Sequence, residues 1–424
     1  MTGTTHPDPT LLDDLVWRGL IAHSTDLADL REALTAGSVR FYVGFDPTAP
    51  SLHMGNLLQL ATARRLQNAG HTPYLLVGGA TGMIGDPKDS GERGLNSLDT
   101  VKEWSELLRR QVAPFVSFEG SNAATIVNNY DWTASLSTID FLREIGKHFP
   151  VNRMLARDVV SRRLESGISY TEFSYVLLQS LDFLNLYRDH GVTLQFGATD
   201  QWGNITAGVE LIRRADGGRA HAFVTPLVTK PDGTKYGKTE SDALWLDPDM
   251  MSPYAFHQFW LNVEDAQVGG MLRIFTFLGR EEIEALETET RDEPWKRSGQ
   301  KRLADEVTTF VHGVDEAENA KAAAAALFGG GDLHELSPST LSDALREAGS
   351  TSVASLLPVV DLLVETGLVK SKGEARRTIA EGGAYLNNVR VEDPEAEPRS
   401  SDLIGGSWLV LRRGKKQFAG VEVG

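Results

Sequence analysis

Three groups of residues in this chain have types and spacings that could do chemistry. His53 and Asn56 stand in the first turns of a helix that must restart after a strand. Unpaired backbone N–H groups and the positive end of the helix dipole there favour a phosphate. Tyr175, Gln179 and Asp182 fall at i, i+4 and i+7 of an otherwise apolar run, 171–187, and so line one face of a helix. Buried polar groups need partners, and these three could satisfy one another or line a ligand pocket. Lys235, Lys238 and Thr239 close the stretch KPDGTKYGKT, which is not a P-loop because the place that requires glycine holds Asp232. By itself that stretch reads as a solvated lysine loop.

The elements that must position these groups follow from patterning. A β-branched and aromatic run, 39–45, is broken by Asp46, Pro47 and Pro50, since two prolines this close stop both ladder and helix. Ser51 is the expected N-cap of the next helix, and Met54, Leu57, Leu58 and Ala61 recur at i, i+3, i+4 and i+7, so one face is buried. A second β-run, 73–77, leads into the glycine-rich turn 78–87, whose glycines are not spaced as in a dinucleotide-binding GxGxxG and which ends at Asp86. Helices are expected over 98–118 and 139–149, with a short strand at 124–127 between them. A strand at 192–196 precedes a turn in which Asp200 would cap a helix running to Arg213 and Arg214, a basic pair placed to compensate the helix dipole. A last strand is expected at 221–228. Tyr42, Asp46, Asp86, Asp200 and the lysines thus lie within or just after four separate β-runs. In an open parallel α/β sheet, ligands bind beyond the carboxyl ends of the strands, where strand order reverses, so these residues would converge on one crevice.

At 424 residues the chain is too long for one core, and two or three domains are expected. It is 41% hydrophobic and 24% charged, with no apolar run long enough to span a bilayer and an acidic N-terminal stretch unlike a signal peptide, which points to the cytoplasm. It has no cysteine, hence no disulfide or thiolate zinc site, and nothing reads as a dedicated metal cage. A net charge of −16 argues against general nucleic-acid binding, so any such contact must use local clusters: Arg213 and Arg214, or Arg412, Arg413, Lys415 and Lys416.

His53-Met54-Gly55-Asn56, following Gly44 and Asp46, resembles the HIGH signature of class I aminoacyl-tRNA synthetases, and YVGFDPTAPSLHMGN is similar to the tyrosyl-tRNA synthetase family in particular. The 235–239 stretch resembles KMSKS, the second signature, with Lys235, Lys238 and Thr239 retained and Tyr-Gly in place of Met-Ser. The two signatures occur in order at either end of one α/β domain, and the resemblance to the bacterial type covers nearly the whole chain. It implies a Rossmann-like catalytic domain that joins tyrosine to ATP, forming tyrosyl-adenylate and pyrophosphate, and then charges tRNA. It also implies roles for residues. Tyr42 and Asp182 would meet the phenol hydroxyl, and Asp86, Tyr175 and Gln179 the amino group. Gln195, Asp200 and Gln201 would reach the tyrosyl carboxylate and the ribose. Gly44, Asp46, Gly55, Gly197 and Lys238 would contact ATP, which Mg²⁺ accompanies. Thr48, His53, Asn56, Lys235, Lys238 and Thr239 would stabilise the transition state. Arg93 matches a basic residue that reaches the pyrophosphate, whereas Lys88 does not fit that pattern. A homodimer formed through 130–190 is implied, as is contact of Arg213 and Arg214 with the tRNA acceptor arm.

Residues 1–247 are therefore read as the catalytic α/β domain, 248–330 as an α-helical anticodon-side domain, 331–355 as a linker and 356–424 as a small α+β module of the αL RNA-binding kind. That module holds as many acidic as basic side chains, so RNA contact would rest on Arg376 and Arg377 and on Arg412, Arg413, Lys415 and Lys416, which have no acidic neighbour in sequence. The rival readings are a tryptophanyl-tRNA synthetase, an HxGH nucleotidyltransferase and a non-catalytic RNA-binding or splicing factor. The Tyr42/Asp182 pair, the chain length and the intact signatures weigh against them in turn.

Overall fold

The strand expected at 39–45 forms over Arg40–Phe45 (β2) and sits inside a six-stranded sheet. The computed structural model describes residues 7–87, 94–229, 243–327, 331–414 and 417–424. They divide into two units, 1–250 with 266–288 and 251–265 with 289–424. In the first unit β2 joins His23–Ser24 (β1), Thr72–Val77 (β3), Thr125–Asn128 (β4), Val192–Ala198 (β5) and His221–Thr225 (β6) in the order β1-β6-β5-β2-β3-β4. Every pairing is parallel except β1 with β6. Phe41, Tyr42, Val43 and Phe45 are all buried, as a parallel strand covered on both faces requires. From β2 the chain steps to β3 and β4 on one side and returns to β5 and β6 on the other, so strand order reverses between β2 and β5. Tyr42 and Gln195 face each other across that boundary.

Helix Met54–Asn68 follows β2 and buries Met54, Leu57, Leu58 and Ala61 as the spacing predicts. Its cap differs from expectation. Ser51 is engaged elsewhere, donating to the Leu52 carbonyl and accepting from the Asp247 N–H, and the chain stays extended through His53, which is the N-cap. Beyond β3 the turn closes tightly on the end of β2. A Cβ at Gly78 would lie 1.9 Å from Asp46 Oδ1, so only glycine lets the two strand ends approach this far.

Helix Tyr170–His190 is capped by Ser169, whose hydroxyl accepts from Glu172 N–H, and ends at Gly191 in the left-handed region (φ 62°). It packs Leu181, Phe183, Leu184 and Leu186 with Tyr42, Leu211 and Ile212. Three expected elements come out shorter or broken. The 98–118 helix ends at Val112 and tightens into a 3₁₀ turn across Pro114, which has no N–H to continue it. The strand expected to reach 228 stops at Thr225, before Pro226. The 139–149 helix is a single turn, Thr138–Asp140, then a wide π turn, Phe141–Ile145, then a 3₁₀ turn, Gly146–His148; Gly146 and Pro150 deny it a continuous ladder.

The second unit joins helices Pro253–Leu261, Ser298–His312, Val314–Leu327 and Pro338–Ala348 to a sheet of Ser350–Val353 (β7), Ala384–Leu386 (β8), Val389–Arg390 (β9), Trp408–Arg413 (β10) and Gln417–Val423 (β11). The sheet order is β7-β11-β10-β8-β9, and β7 with β11 is its one parallel pair. Tyr254, Ala320, Ala323, Leu341, Leu345, Trp408 and Val410 share one core. Residues 331–355, read from the sequence as a linker that bears a helix, carry that helix as the amphipathic Pro338–Ala348 and add the strand β7. Leu341, Ala344 and Leu345 are buried and β7 is paired, so the segment is built into this unit.

Candidate active site

The three polar residues of helix Tyr170–His190 do not satisfy one another; Asp182 and Tyr175 turn to residues from other elements. Asp182 is 2% exposed and accepts from Asn129 Nδ2 at 3.0 Å and from Trp132 Nε1 at 2.9 Å. Tyr175 donates its hydroxyl to Asp46 Oδ2 at 2.6 Å, and Thr81 donates to Asp46 Oδ1 at 2.6 Å. Asn129 links the two halves. Its Nδ2 also reaches Thr81 Oγ1 at 2.9 Å, and its Oδ1 accepts from Ala80 N–H at 2.7 Å. Asp46, implied as an ATP contact, is therefore the hub between Tyr175 and Thr81.

Against this network lie buried polar atoms with no hydrogen-bond partner among the described residues: the Tyr42 hydroxyl, Gln179 Oε1 and Gln195 Oε1. Tyr42 is 1% exposed, its ring edge-on to Phe183 at 5.3 Å. Burial and then the charge of Asp182 push its hydroxyl well above the ordinary tyrosine pKa, against a lowering effect of the nearby Gln195 side chain, whose contact falls short of a hydrogen bond, so it stays a neutral donor. Burial raises the Asp182 carboxyl to about 7, against the lowering effect of the bonds from Asn129 and Trp132. An orphaned phenol and two orphaned amide oxygens suit a ligand with polar groups at both ends.

Asp86 forms a second polar cluster. Gln201 Nε2 donates to its Oδ2 at 2.8 Å and Asn204 Nδ2 to its Oδ1 at 3.1 Å, while Asn204 Nδ2 also lies 3.1 Å from Gln201 Oε1. Burial raises the Asp86 pKa, and the bonds from Gln201 and Asn204 and the charge of Arg157 oppose that rise.

His53 Nδ1 accepts from Gly55 N–H at 3.0 Å, while Asn56 Oδ1 accepts from His53 N–H at 3.0 Å, a reciprocal cap. The cap assigns the imidazole proton to Nε2, and burial lowers the pKa of the ring, so His53 is a neutral N–H donor at the start of a helix. Asn56 spends its carbonyl on the cap and keeps its NH₂ as a donor. Trp245 stands edge-on to the imidazole at 6.4 Å. Gly44, Thr48 and Gly55 are exposed, whereas Gly197 is buried. Asp200 lies in a 3₁₀ turn, Thr199–Gln201, and the following helix, Trp202–Asp216, has no side-chain cap, so the capping expected of Asp200 does not occur. Lys88, Arg93, Lys235, Lys238, Thr239, Lys415 and Lys416 lie outside the described residues.

The basic candidates are mostly paired. Arg213 and Arg214 both donate to Glu210, at 2.8 and 2.6 Å, which lowers the Glu210 pKa to about 2. Arg376 is 3.4 Å from Glu395. Arg412 lies over the Tyr385 ring at 4.0 Å. Arg413 reaches Glu374 at 2.9 Å across the fold, which corrects the reading of 412–416 as free of acid. Arg377 lies on helix Lys372–Ala380. Sequence reasoning missed Thr81, Asn129, Trp132, Arg157 and Asn204. Asn129 alone carried a usable signal, because it directly follows β4, at the end of a parallel strand where ligand contacts gather.

The chain matches the family of tRNA synthetases class I (W and Y) over residues 35–329 and the tyrosine–tRNA ligase SYY-like C-terminal domain over 341–421. It is 60% identical over 417 residues to the tyrosine–tRNA ligase of Streptomyces griseus, covering 98% of this chain and 99% of the relative. With that of Kineococcus radiotolerans it shares 57% over 413 residues, covering 97% and 98%. The fold is similar to a C-terminally truncated mitochondrial tyrosyl-tRNA synthetase of Aspergillus nidulans, with TM-score 0.66 and 30% identity over 73% of this chain and 92% of the other. It also resembles in fold the tyrosyl-tRNA synthetase of Archaeoglobus fulgidus complexed with L-tyrosine, with TM-score 0.53 and 16% identity over 73% of this chain and 99% of the other.

Proposed function

The chain belongs to the tyrosine–tRNA ligase family of class I aminoacyl-tRNA synthetases, and on that premise we propose how its residues divide the work. It activates L-tyrosine with ATP to tyrosyl-adenylate and pyrophosphate, then transfers the tyrosyl group to the 3′ end of tRNA-Tyr. The observation that carries the assignment of the pocket is the buried, unpartnered Tyr42 hydroxyl beside the doubly bonded Asp182. A phenol between them would accept from Tyr42 and donate to Asp182, whereas a phenyl ring would leave both groups unpaired. Asp86, Tyr175 and Gln179 hold the substrate ammonium, and Gln195 and Gln201 the carboxylate.

In the first step a tyrosine carboxylate oxygen attacks the α-phosphorus, the bond to the bridging oxygen breaks, and pyrophosphate leaves. No protein nucleophile is needed. The protein aligns two reactants and stabilises the charge that grows on the phosphates. His53 Nε2–H and the Thr48 hydroxyl serve as donors, with Lys235, Lys238 and Thr239 opposite them, while Gly44, Asp46, Gly55, Asn56, Gly197 and Asp200 shape the nucleotide site. Magnesium enters with ATP as part of the substrate. Arg213, Arg214, Arg376, Arg377, Arg412 and Arg413, with Lys415 and Lys416, are assigned to tRNA. We take the enzyme to be a cytoplasmic homodimer; Ile139, Leu142, Val151, Leu164 and Tyr170, all exposed and gathered in one segment of the chain, support the dimer.

ATP–pyrophosphate exchange without tRNA, run with tyrosine, phenylalanine and tryptophan separately, tests this reading. Exchange is expected with tyrosine alone, and His53→Ala is expected to slow it about a hundredfold. A folded protein that binds tRNA but exchanges with none of the three would instead be the non-catalytic RNA binder.

A further inference from the structure

Arg157 lies in the segment between β4 and helix Tyr170–His190, which supplies none of the residues assigned to tyrosine, yet it reaches the Asp86 cluster. Its Nη2 donates to Asn204 Oδ1, and the other end of that amide, Nδ2, donates to Asp86 Oδ1 at 3.1 Å. Asn204 is 2% exposed, so its amide has no solvent to turn toward. The guanidinium lies close along the first turn of helix Trp202–Asp216: a Cβ at position 203 would stand 3.1 Å from Arg157 Nη2 and 3.5 Å from its Nε, so a larger residue there would make the guanidinium give by a few tenths of an ångström.

An asparagine amide can face either way, and the two ends carry opposite dipoles. With the guanidinium donating into its carbonyl, Asn204 can present only its NH₂ to Asp86. Without that cation, rotation would bring an amide oxygen against a carboxylate oxygen. Gln201 shares the arrangement through its own bonds to Asp86 and Asn204.

We propose that Arg157 is a positioning residue for tyrosine recognition, fixing the Asn204 amide so that the Asp86 carboxylate is aimed at the substrate ammonium group. The inference rests on the assignment of Asp86 to that ammonium. Arg157 and Asp86 also bear on each other electrically, the charge of each favouring the ionised form of the other.

The test is ATP–pyrophosphate exchange by the full chain carrying Arg157→Met, Arg157→Lys or Asp86→Ala, with two inhibitors that differ at one group. Tyramine keeps the ammonium, and 3-(4-hydroxyphenyl)propionate lacks it. Arg157→Met is expected to raise KM for tyrosine and Ki for tyramine together by about tenfold or more, the loss expected when a hydrogen-bonded charge is disturbed. KM for ATP, kcat and Ki for the propionate stay unchanged, and Arg157→Lys recovers part of the tyrosine KM. A mere loss of packing would weaken both inhibitors alike, and that result, or an unchanged tyrosine KM, overturns the inference. Asp86→Ala separates the two claims. If it leaves tyramine binding intact, the assignment of Asp86 fails; if it abolishes that binding while Arg157→Met does nothing, only the role of Arg157 fails.

Discussion

At the scale of single residues, the energetics concentrate on Asp182. On the proposed assignment, Asp182→Ala removes one of two polar groups that face the phenol, takes the acceptor from the half-buried Trp132 Nε1 and leaves buried Asn129 Nδ2 with Thr81 alone. Activity with tyrosine and preference over phenylalanine should fall together, tyrosine kcat/KM by about a hundredfold. Exchange assays with both amino acids measure it, and an unchanged preference would sink the assignment. Asp182 also predicts a pH dependence of stability. Burial lifts its pKa from 3.8 to about 7, so between those values the folded protein holds a proton that the unfolded chain has released. Stability contributed at this site is therefore full at low pH and declines as pH rises through that window, by up to about 1.4 kcal/mol per pH unit, and levels off above it. Urea denaturation at pH 5 and pH 7 should show this decline in the wild type relative to Asp182→Asn, which cannot titrate. The Tyr175, Gln179, Asp182 stripe was legible in the sequence because helical spacing puts three polar residues on one apolar helix. Asn129 could have been flagged by its place just after β4, but Trp132 and Arg157 could not, because single polar residues in irregular chain carry no period, and their importance arises only from the neighbours that folding supplies.

At the scale of elements, helix Tyr170–His190 is the member on which the pocket hangs, and its first turn is pinned by a buried ion pair. Arg163 Nη1 lies 3.2 Å from Glu172 Oε2, the two side chains being 6% and 2% exposed, and Arg163 also donates to the Gly167 carbonyl. Breaking such a pair from one side strands a charge out of water. Arg163→Met should thus cost about 3–5 kcal/mol in urea denaturation, while Arg163→Met with Glu172→Leu should recover most of that loss. If the double variant is no more stable than the single one, packing rather than charge accounts for the pair. Strands and long helices were readable from periodicity, whereas the order of the strands in the sheet was not, because it arises from the pairing that folding supplies. What patterning misjudged were ends and joints. Prolines 114 and 226 stop elements early, Gly146 breaks the 139–149 helix, and His53 takes the cap from Ser51 because the serine hydroxyl is engaged by Leu52 and Asp247.

At the scale of the whole molecule, a net charge of −16 puts acidic groups in the majority, and the basic pair Arg213 and Arg214 shares one carboxylate, Glu210. The apolar surface is distributed less evenly. Ile139 is 70% exposed and Val151 61%, both within the segment that folds as short, broken turns rather than as one helix, and Tyr170, at the start of helix Tyr170–His190, is 68% exposed. Side chains of this size left in water on so irregular a segment are what a second copy of the chain would cover. Ile139→Asp with Val151→Asp should therefore shift the mass measured by light scattering from twice 46.3 kDa to that of one chain. A wild type already at the single-chain mass would remove the homodimer from the proposal. The same segment supplies Trp132 and Arg157 to the two polar clusters, so covering its outer face also steadies the inner one. If that coupling holds, the monomeric variant binds tyrosine more weakly while its KM for ATP stays the same, because His53 and the nucleotide-facing turns belong to other elements.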